Sequence, residues 1–140
     1  MIRFFRAADI VKLSEEDLNY LHPEWSKDAL ETFAKEYAPQ LCVYTAGSDG
    51  LVGLTRRGVS VRVPAVLPGV LADTVGAGDS LHGALLSEIE RLNLIGDQIS
   101  RLDRDQLSEI LIFASQAAGI NCTRAGCQPP TRHEITRIFS

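Results

Sequence analysis

The densest chemistry in the chain lies in one stretch, Asp73-Thr74-Val75-Gly76-Ala77-Gly78-Asp79-Ser80-Leu81-His82-Gly83. Gly76, Ala77 and Gly78 are three small residues placed where a loop turns into a helix. Small residues let the backbone approach a ligand closely, and glycine tolerates unusual φ angles. The free N–H groups of a first helical turn, with the positive end of the helix dipole, make an anion site. Asp79 stands at the mouth of that site. A carboxylate beside bound phosphate is electrostatically unfavourable unless it has a task, such as taking the proton of an attacking hydroxyl. The competing reading makes Asp79 a helix cap and the glycines a tight turn. The stretch is not a P-loop, because no Gly-Lys-Ser/Thr follows. It is not a dinucleotide fingerprint either, because the third glycine is misplaced.

Other side chains carry weaker signals. Thr45-Ala46-Gly47-Ser48-Asp49-Gly50 follows a short apolar run, and a strand followed by two glycines is often only a turn. Ser14-Glu15-Glu16-Asp17 has the spacing of a capping box. Cys122 and Cys127 have no second cysteine pair to complete a metal site, so they and Cys42 are expected as buried or semi-buried thiols. His22, His82 and His133 are scattered without ligand spacing.

The elements that must position these residues follow from periodicity. Asp9 to Leu13 reads as a strand, followed by a short helix opened by Ser14. His22 to Trp25 is a connection, and Ser26 is placed to cap a helix with Leu30, Phe33, Ala34 and Tyr37 on one face, ended by Pro39. Leu41 to Thr45 suits a strand buried on both faces. Leu51 to Thr55 and Val59 to Val63 read as strands joined by a turn at Arg56-Arg57-Gly58. A helix then runs from the glycine loop to about Leu94, with Leu81, Leu85, Ile89 and Leu92 as its buried stripe. A polar connection leads to a helix over about 105–121, its inner face holding Leu107, Ile110, Leu111, Ala114, Ala117 and Ala118. Thr123 to Ser140 is expected to be turn-rich. The alternation predicts one α/β layered domain over residues 1–140. Only the strands at 9–13 and 41–45 look like central strands, a thin sheet for a free-standing fold.

Composition bounds the partners. The chain has 140 residues, 45% hydrophobic, enough for one packed core, and a formal net charge of -4. That balance argues against a nucleic-acid surface, which needs a basic patch. No apolar run has transmembrane length, and no signal peptide is apparent, so neither a membrane nor a secretory route is expected. The odd cysteine number fits a reducing cytoplasm better than disulfides.

Residues 73–83 resemble the C-terminal signature of the PfkB family of ribokinase-type carbohydrate kinases, D-T-x-G-A-G-D-x-x-x-G/A, at each position compared. The resemblance runs from about residue 8 to 136 and implies a partial ribokinase-like αβα layered, Rossmann-like fold without its N-terminal strands and lid. It implies that Asp79 is the base activating a sugar hydroxyl and that the backbone of Gly76, Ala77, Gly78 and Asp79 is the anion hole for the transferring phosphoryl. Thr45, Gly47 and Gly50 match the family's T-x-G-x-x-G nucleotide loop. Ser14 to Asp17 falls where many members carry N-x-x-E, which would associate Asp17 with magnesium; the capping-box reading stands equally. The segment Asn121 to Pro130 resembles the family's adenine-side loop. It implies Asn121 as a nucleotide contact, and Asp73, Val75, Asn121, Arg124 and Gly126 as the site of a monovalent cation such as potassium.

The resemblance thus implies ATP and magnesium as cofactors and a sugar as substrate, most like fructose from the VKLSEEDL and GCQPPTR segments. Ribokinase, 2-keto-3-deoxygluconate kinase and nucleoside kinase activities stay open. The chain is expected to be incomplete as an enzyme, needing an N-terminal portion or self-association. Competing readings are a non-catalytic nucleotide-binding or self-associating fragment, and a purely structural α/β domain.

Overall fold

A strand that is apolar on both sides must be covered on both faces, and Leu41-Cys42-Val43 is such a strand. In the computed structural model, which describes residues 2–23 and 29–140, this segment is β2 (Leu41–Thr45), with Leu41, Cys42 and Val43 all buried. It pairs in parallel with β1 (Ile10–Ser14), Lys12 opposite Val43, and antiparallel with β3 (Leu51–Thr55). β4 (Ser60–Val63) completes the sheet in the order β1-β2-β3-β4. β1, expected to be central, is therefore an outer strand of the described sheet, and β2 and β3 are the inner pair.

The parallel pair needs a crossover. It runs through α2 (Glu15–Leu21) and α3 (Ala29–Tyr37), which lie on one face of the sheet. Ser14 and Asp17 close the expected capping box at the start of α2, with Ser14 Oγ accepting from Asp17 N at 3.1 Å and Asp17 Oδ2 accepting from Ser14 N at 2.9 Å. The connection at Glu24-Trp25 and the cap expected at Ser26 lie outside the described residues. Val11 and Leu13 of β1 pack here with Leu18, Leu30, Phe33 and Tyr37. Phe5 joins them, its ring centroid 5.1 Å from Phe33, from a first helix α1 (Ile2–Ala7) that periodicity did not reveal. Six residues are too few to display a period.

The other face is covered by α4 (Ala77–Arg91) and α5 (Arg104–Cys122). Leu81, Leu85 and Ile89 meet Leu107, Ile110, Leu111 and Ala114 over the inward side chains of β2, β3 and β4. Leu92 leaves this stripe: α4 stops at Arg91, Asn93 turns to φ 52°, and Leu92 is exposed. The polar connection contributes Ile99 and Leu102 to the core. A last helix, α6 (Arg132–Phe139), occupies the segment expected to be turn-rich and packs Ile135 on Ala117 and Ile120 of α5. Its sequence signal is the Thr131–Glu134 capping box.

Helix α6 is tied to α4 by charge as well. Burial opposes ionisation of Glu88, but hydrogen bonds from Arg91 (2.8 Å) and Arg132 outweigh it and hold the carboxyl below its usual range. Arg132 also lies over the Phe113 ring, 4.4 Å from its centroid. Among the described residues no helix is long and apolar enough to cross a membrane.

The tightest approach of backbone to helix is at Gly119, where a Cβ would fall 2.0 Å from the carbonyl oxygen of Val66. Alanine is the better helix former by up to about 1 kcal/mol, yet overpacking against a backbone atom costs about 1–3 kcal/mol. Gly119→Ala is therefore expected to lower the urea midpoint, and an unchanged or raised midpoint would show that the segment at Val66 does not sit against α5 this closely.

Candidate active site

The N-terminus of α4 is built on Gly76, which takes the N-cap position in the left-handed region (φ 75°) without any side-chain cap. A Cβ there would lie 2.1 Å from Cys127 Sγ, so both the conformation and the space call for glycine. Ala77 N donates to Thr74 O at 3.2 Å and Ser80 N to Gly76 O at 2.8 Å. Among the described residues the N–H groups of Gly78 and Asp79 have no such partner. Asp79 is exposed and its carboxylate makes no hydrogen bond or ion pair among those residues. It does not cap the helix. Beside it, the hydroxyl of Ser80, a residue only 5% exposed, is also unsatisfied among the described residues. A cleft of about 260 Å³ opens here, bordered by Asp79, Ser80, Gly83, Cys127 and Arg132.

A second loop holds this turn in place. Asp73 accepts from Val75 N (3.0 Å) and Gly126 N (2.9 Å), and these bonds hold its carboxyl below the ordinary range. Asn121, wholly buried, donates to Val75 O and accepts from Gln128 N, each at 2.8 Å. Arg124 reaches Gln128 O at 3.0 Å and Glu134 at 2.7 Å. Asp73, Val75, Asn121, Arg124 and Gly126 thus meet as one stitched pair of loops. The buried Asn121 amide is spent on that stitching and faces no open cleft. Among the described residues no group of three or more His, Cys, Asp or Glu could hold a metal. Cys127, expected to be at least half-buried, is exposed, because it lies over Gly76 at the rim of the loop.

Thr45 ends β2, and its hydroxyl points to Leu13 O at 3.5 Å. Gly47 is exposed at φ 51° in a turn closed by Ala46 N to Gly50 O at 2.9 Å. Gly50 is buried at φ 89°, where a Cβ would meet Val63 O at 2.2 Å, so packing accounts for this glycine. Asp17 has its carboxylate engaged in the capping box, and the Ser14 backbone bond chiefly keeps its pKa low. One residue that sequence reasoning passed over enters the site. Lys12 of β1 places Nζ 3.1 Å from where a Cβ on Gly78 would stand. Its signal was a lone charge between Ile10 and Ser14 on one side of a strand.

Solved structures share this architecture. The chain superposes on a ribokinase from Giardia lamblia with TM-score 0.82 and 24% identity, covering 99% of this chain and 45% of that one. A fructokinase double mutant from Vibrio cholerae O395, in its fructose-, ADP- and potassium-bound form, gives TM-score 0.79 and 24% identity, covering 99% and 43%. The fold is therefore the ribokinase-like three-layer α/β/α fold, represented over part of its length. The family model for pfkB family carbohydrate kinases matches residues 3–134, and the chain belongs to that family. Fructokinase-1 of Oryza sativa subsp. japonica is 34% identical over 94% of this chain and 40% of its own length. A fructokinase of Rhizobium leguminosarum bv. trifolii is 35% identical over 75% of this chain and 32% of its own. The chain thus spans less than half the length of these relatives.

The loop stitching predicts a pH signature. The Thr131 backbone N–H, then Arg124 and the Thr131 hydroxyl, pull Glu134 from its ordinary 4.5 down to about 2. A depressed carboxylate contributes stability above its unfolded pKa, lost as pH falls through the folded value. Thermal melts of the wild-type chain are expected to fall between pH 4.5 and about 2. Glu134→Gln should melt lower near neutrality and flatten that slope; parallel pH profiles for the two proteins would refute the assignment.

Proposed function

We propose that the chain supplies the phosphoryl-transfer part of an ATP-dependent sugar kinase acting on a sugar hydroxyl, with fructose as the first substrate to test. The observation that carries this reading is the first turn of α4: two unpaired N–H groups and an unencumbered carboxylate, at Gly78 and Asp79, inside the family's signature. Phosphoryl transfer needs little covalent chemistry from the protein. Positioning and charge stabilisation do most of it.

In this mechanism Asp79 accepts the proton of the attacking hydroxyl. The amides of Gly76, Ala77, Gly78 and Asp79 form the anion hole, with Gly78 and Asp79 supplying the open donors, so charge on the transferring group meets them without reorganisation. The loop of Thr45, Gly47 and Gly50 is assigned to the nucleotide phosphates, and Asn121 positions the adenine-side loop through its two buried hydrogen bonds. Magnesium would supply positive charge to the nucleotide phosphates, and Asp17 is the carboxylate of this chain assigned to it, through the Oδ1 that its capping box leaves open. A monovalent cation would sit among the carbonyls of the loop pair at Asp73, Val75, Asn121, Arg124 and Gly126, lending charge behind the anion hole. The fructose preference rests on relatives named fructokinases in rice and Rhizobium. The sugar is proposed to be held by residues beyond these loops, contributed by further chain or by a second copy.

The test is calorimetric titration of the purified chain with magnesium and ATP, followed by fructose and an assay for ADP. Nucleotide binding is the expected result, with fructose-dependent ADP release once the sugar-holding residues are supplied by further chain or by a second copy. In a full-length version Asp79→Asn should keep nucleotide affinity and lose turnover by about 10²–10⁴-fold, the usual contribution of a general base. Near-normal turnover in that variant would remove Asp79 from the mechanism. Binding without ADP release by the chain alone would mark a nucleotide half-site that awaits its sugar-holding portion, and absence of binding would overturn the nucleotide site in this chain.

A further inference from the structure

We propose that Lys12 is the cation that receives the terminal phosphoryl group at the N-terminus of α4. The inference deepens the phosphotransfer reading and rests on it. Strand alternation supplies the direction. Val11 and Leu13 are buried against α2 and α3, so Ile10, Lys12 and Ser14 project to the opposite face, where Ile10 packs on the core under α4 and α5. Lys12 is the only charge on that face of β1, and its Nζ lies against Gly78, 3.1 Å from an added Cβ.

This placement is electrostatically costly as it stands. A helix N-terminus carries partial positive charge and disfavours cations. Lys12 nevertheless sits beside the first turn of α4, and among the described residues it makes no hydrogen bond or ion pair. Asp17 is near enough to feel its charge, a smaller influence than the bonds from Ser14, and those bonds already occupy the carboxylate. The same turn holds the open N–H groups of Gly78 and Asp79 and the buried, unsatisfied Ser80 hydroxyl. Unpaired donors and an uncompensated ammonium at one turn call for an anion with several acceptor oxygens, which is the chemistry of a terminal phosphoryl. Lysine serves such a group as a point charge. The alternative, a solvated strand lysine whose stem merely covers apolar surface, predicts no ligand dependence.

The distinguishing measurement compares ATP with ADP, since only ATP carries the terminal phosphoryl. Calorimetry in the presence of magnesium would be run on the wild-type chain, Lys12→Met, Lys12→Gln and Lys12→Arg, each checked for native melting. A hydrogen bond to a charged group contributes about 1.5–3 kcal/mol. Both neutral variants should therefore weaken ATP by about 10–100-fold while changing ADP by less than about 3-fold, and Lys12→Arg should recover most of the loss. Equal losses for ATP and ADP, or no loss in whichever neutral variant melts natively, would overturn the role of Lys12 alone. A wild-type chain that binds neither nucleotide would instead bring down the phosphotransfer reading on which the inference stands.

Discussion

The contact between residues 72–76 and 121–128 holds the rest of the site in position. Asp73 gathers the backbone N–H groups of Val75 and Gly126, and Asn121 joins Val75 O to Gln128 N. Ala72 and Asp73 donate to Cys122 O, so the loop that opens α4 is fastened to the end of α5. A helix start that leaves amides unpaired is poorly defined by its own hydrogen bonds. It needs an external frame, and this one is bought with a buried asparagine. Removing the Asn121 amide would take the side-chain partner from both Val75 O and Gln128 N and leave the two loops joined by fewer bonds.

The frame works because α4 and α5 share one core. Leu81, Leu85 and Ile89 interlock with Leu107, Ile110, Leu111 and Ala114 against the sheet, which fixes how far the start of α4 can drift from the end of β1. The Glu88–Arg91–Arg132 cluster then ties α6 to α4, and α6 anchors the loop after α5 through Arg124 and Glu134. Packing, loop and charge act in series, from the hydrophobic core outward to a turn whose Gly78 and Asp79 amides are left open.

Electrostatics at that turn follow one logic. Asp79 brings a negative charge and Lys12 a positive charge to the N-terminus of α4, and neither is paired with another described residue. Without ligand the ammonium is opposed by the helix dipole, whereas the carboxylate is favoured by it and is opposed only when an anion binds beside it. In the proposed mechanism a phosphoryl group between the amides and the ammonium, with a hydroxyl at the carboxylate, would satisfy all of them together.

The sequence by itself determined what is written in short spacings. The period-two pattern of β4, the two-sided burial of β2, the capping box at Ser14 and the helical stripe of α5 all depend on residues within a few positions of each other, and all are seen. The signature from Asp73 to Gly83 pointed to the right family for the same reason. Helix α1 was too short to announce itself, and α6 was obscured by the glycines and prolines before it, although its Thr131–Glu134 box was legible. Tertiary structure alone decided which distant residues meet. Asn121 lies 46 positions from Val75 and Asp73 lies 53 from Gly126, yet both pairs are bonded. Cys127 rests on Gly76, and Lys12 on Gly78, for a related reason. Local periodicity says which face a side chain takes, but the partner on that face is chosen by how the helices pack on the sheet.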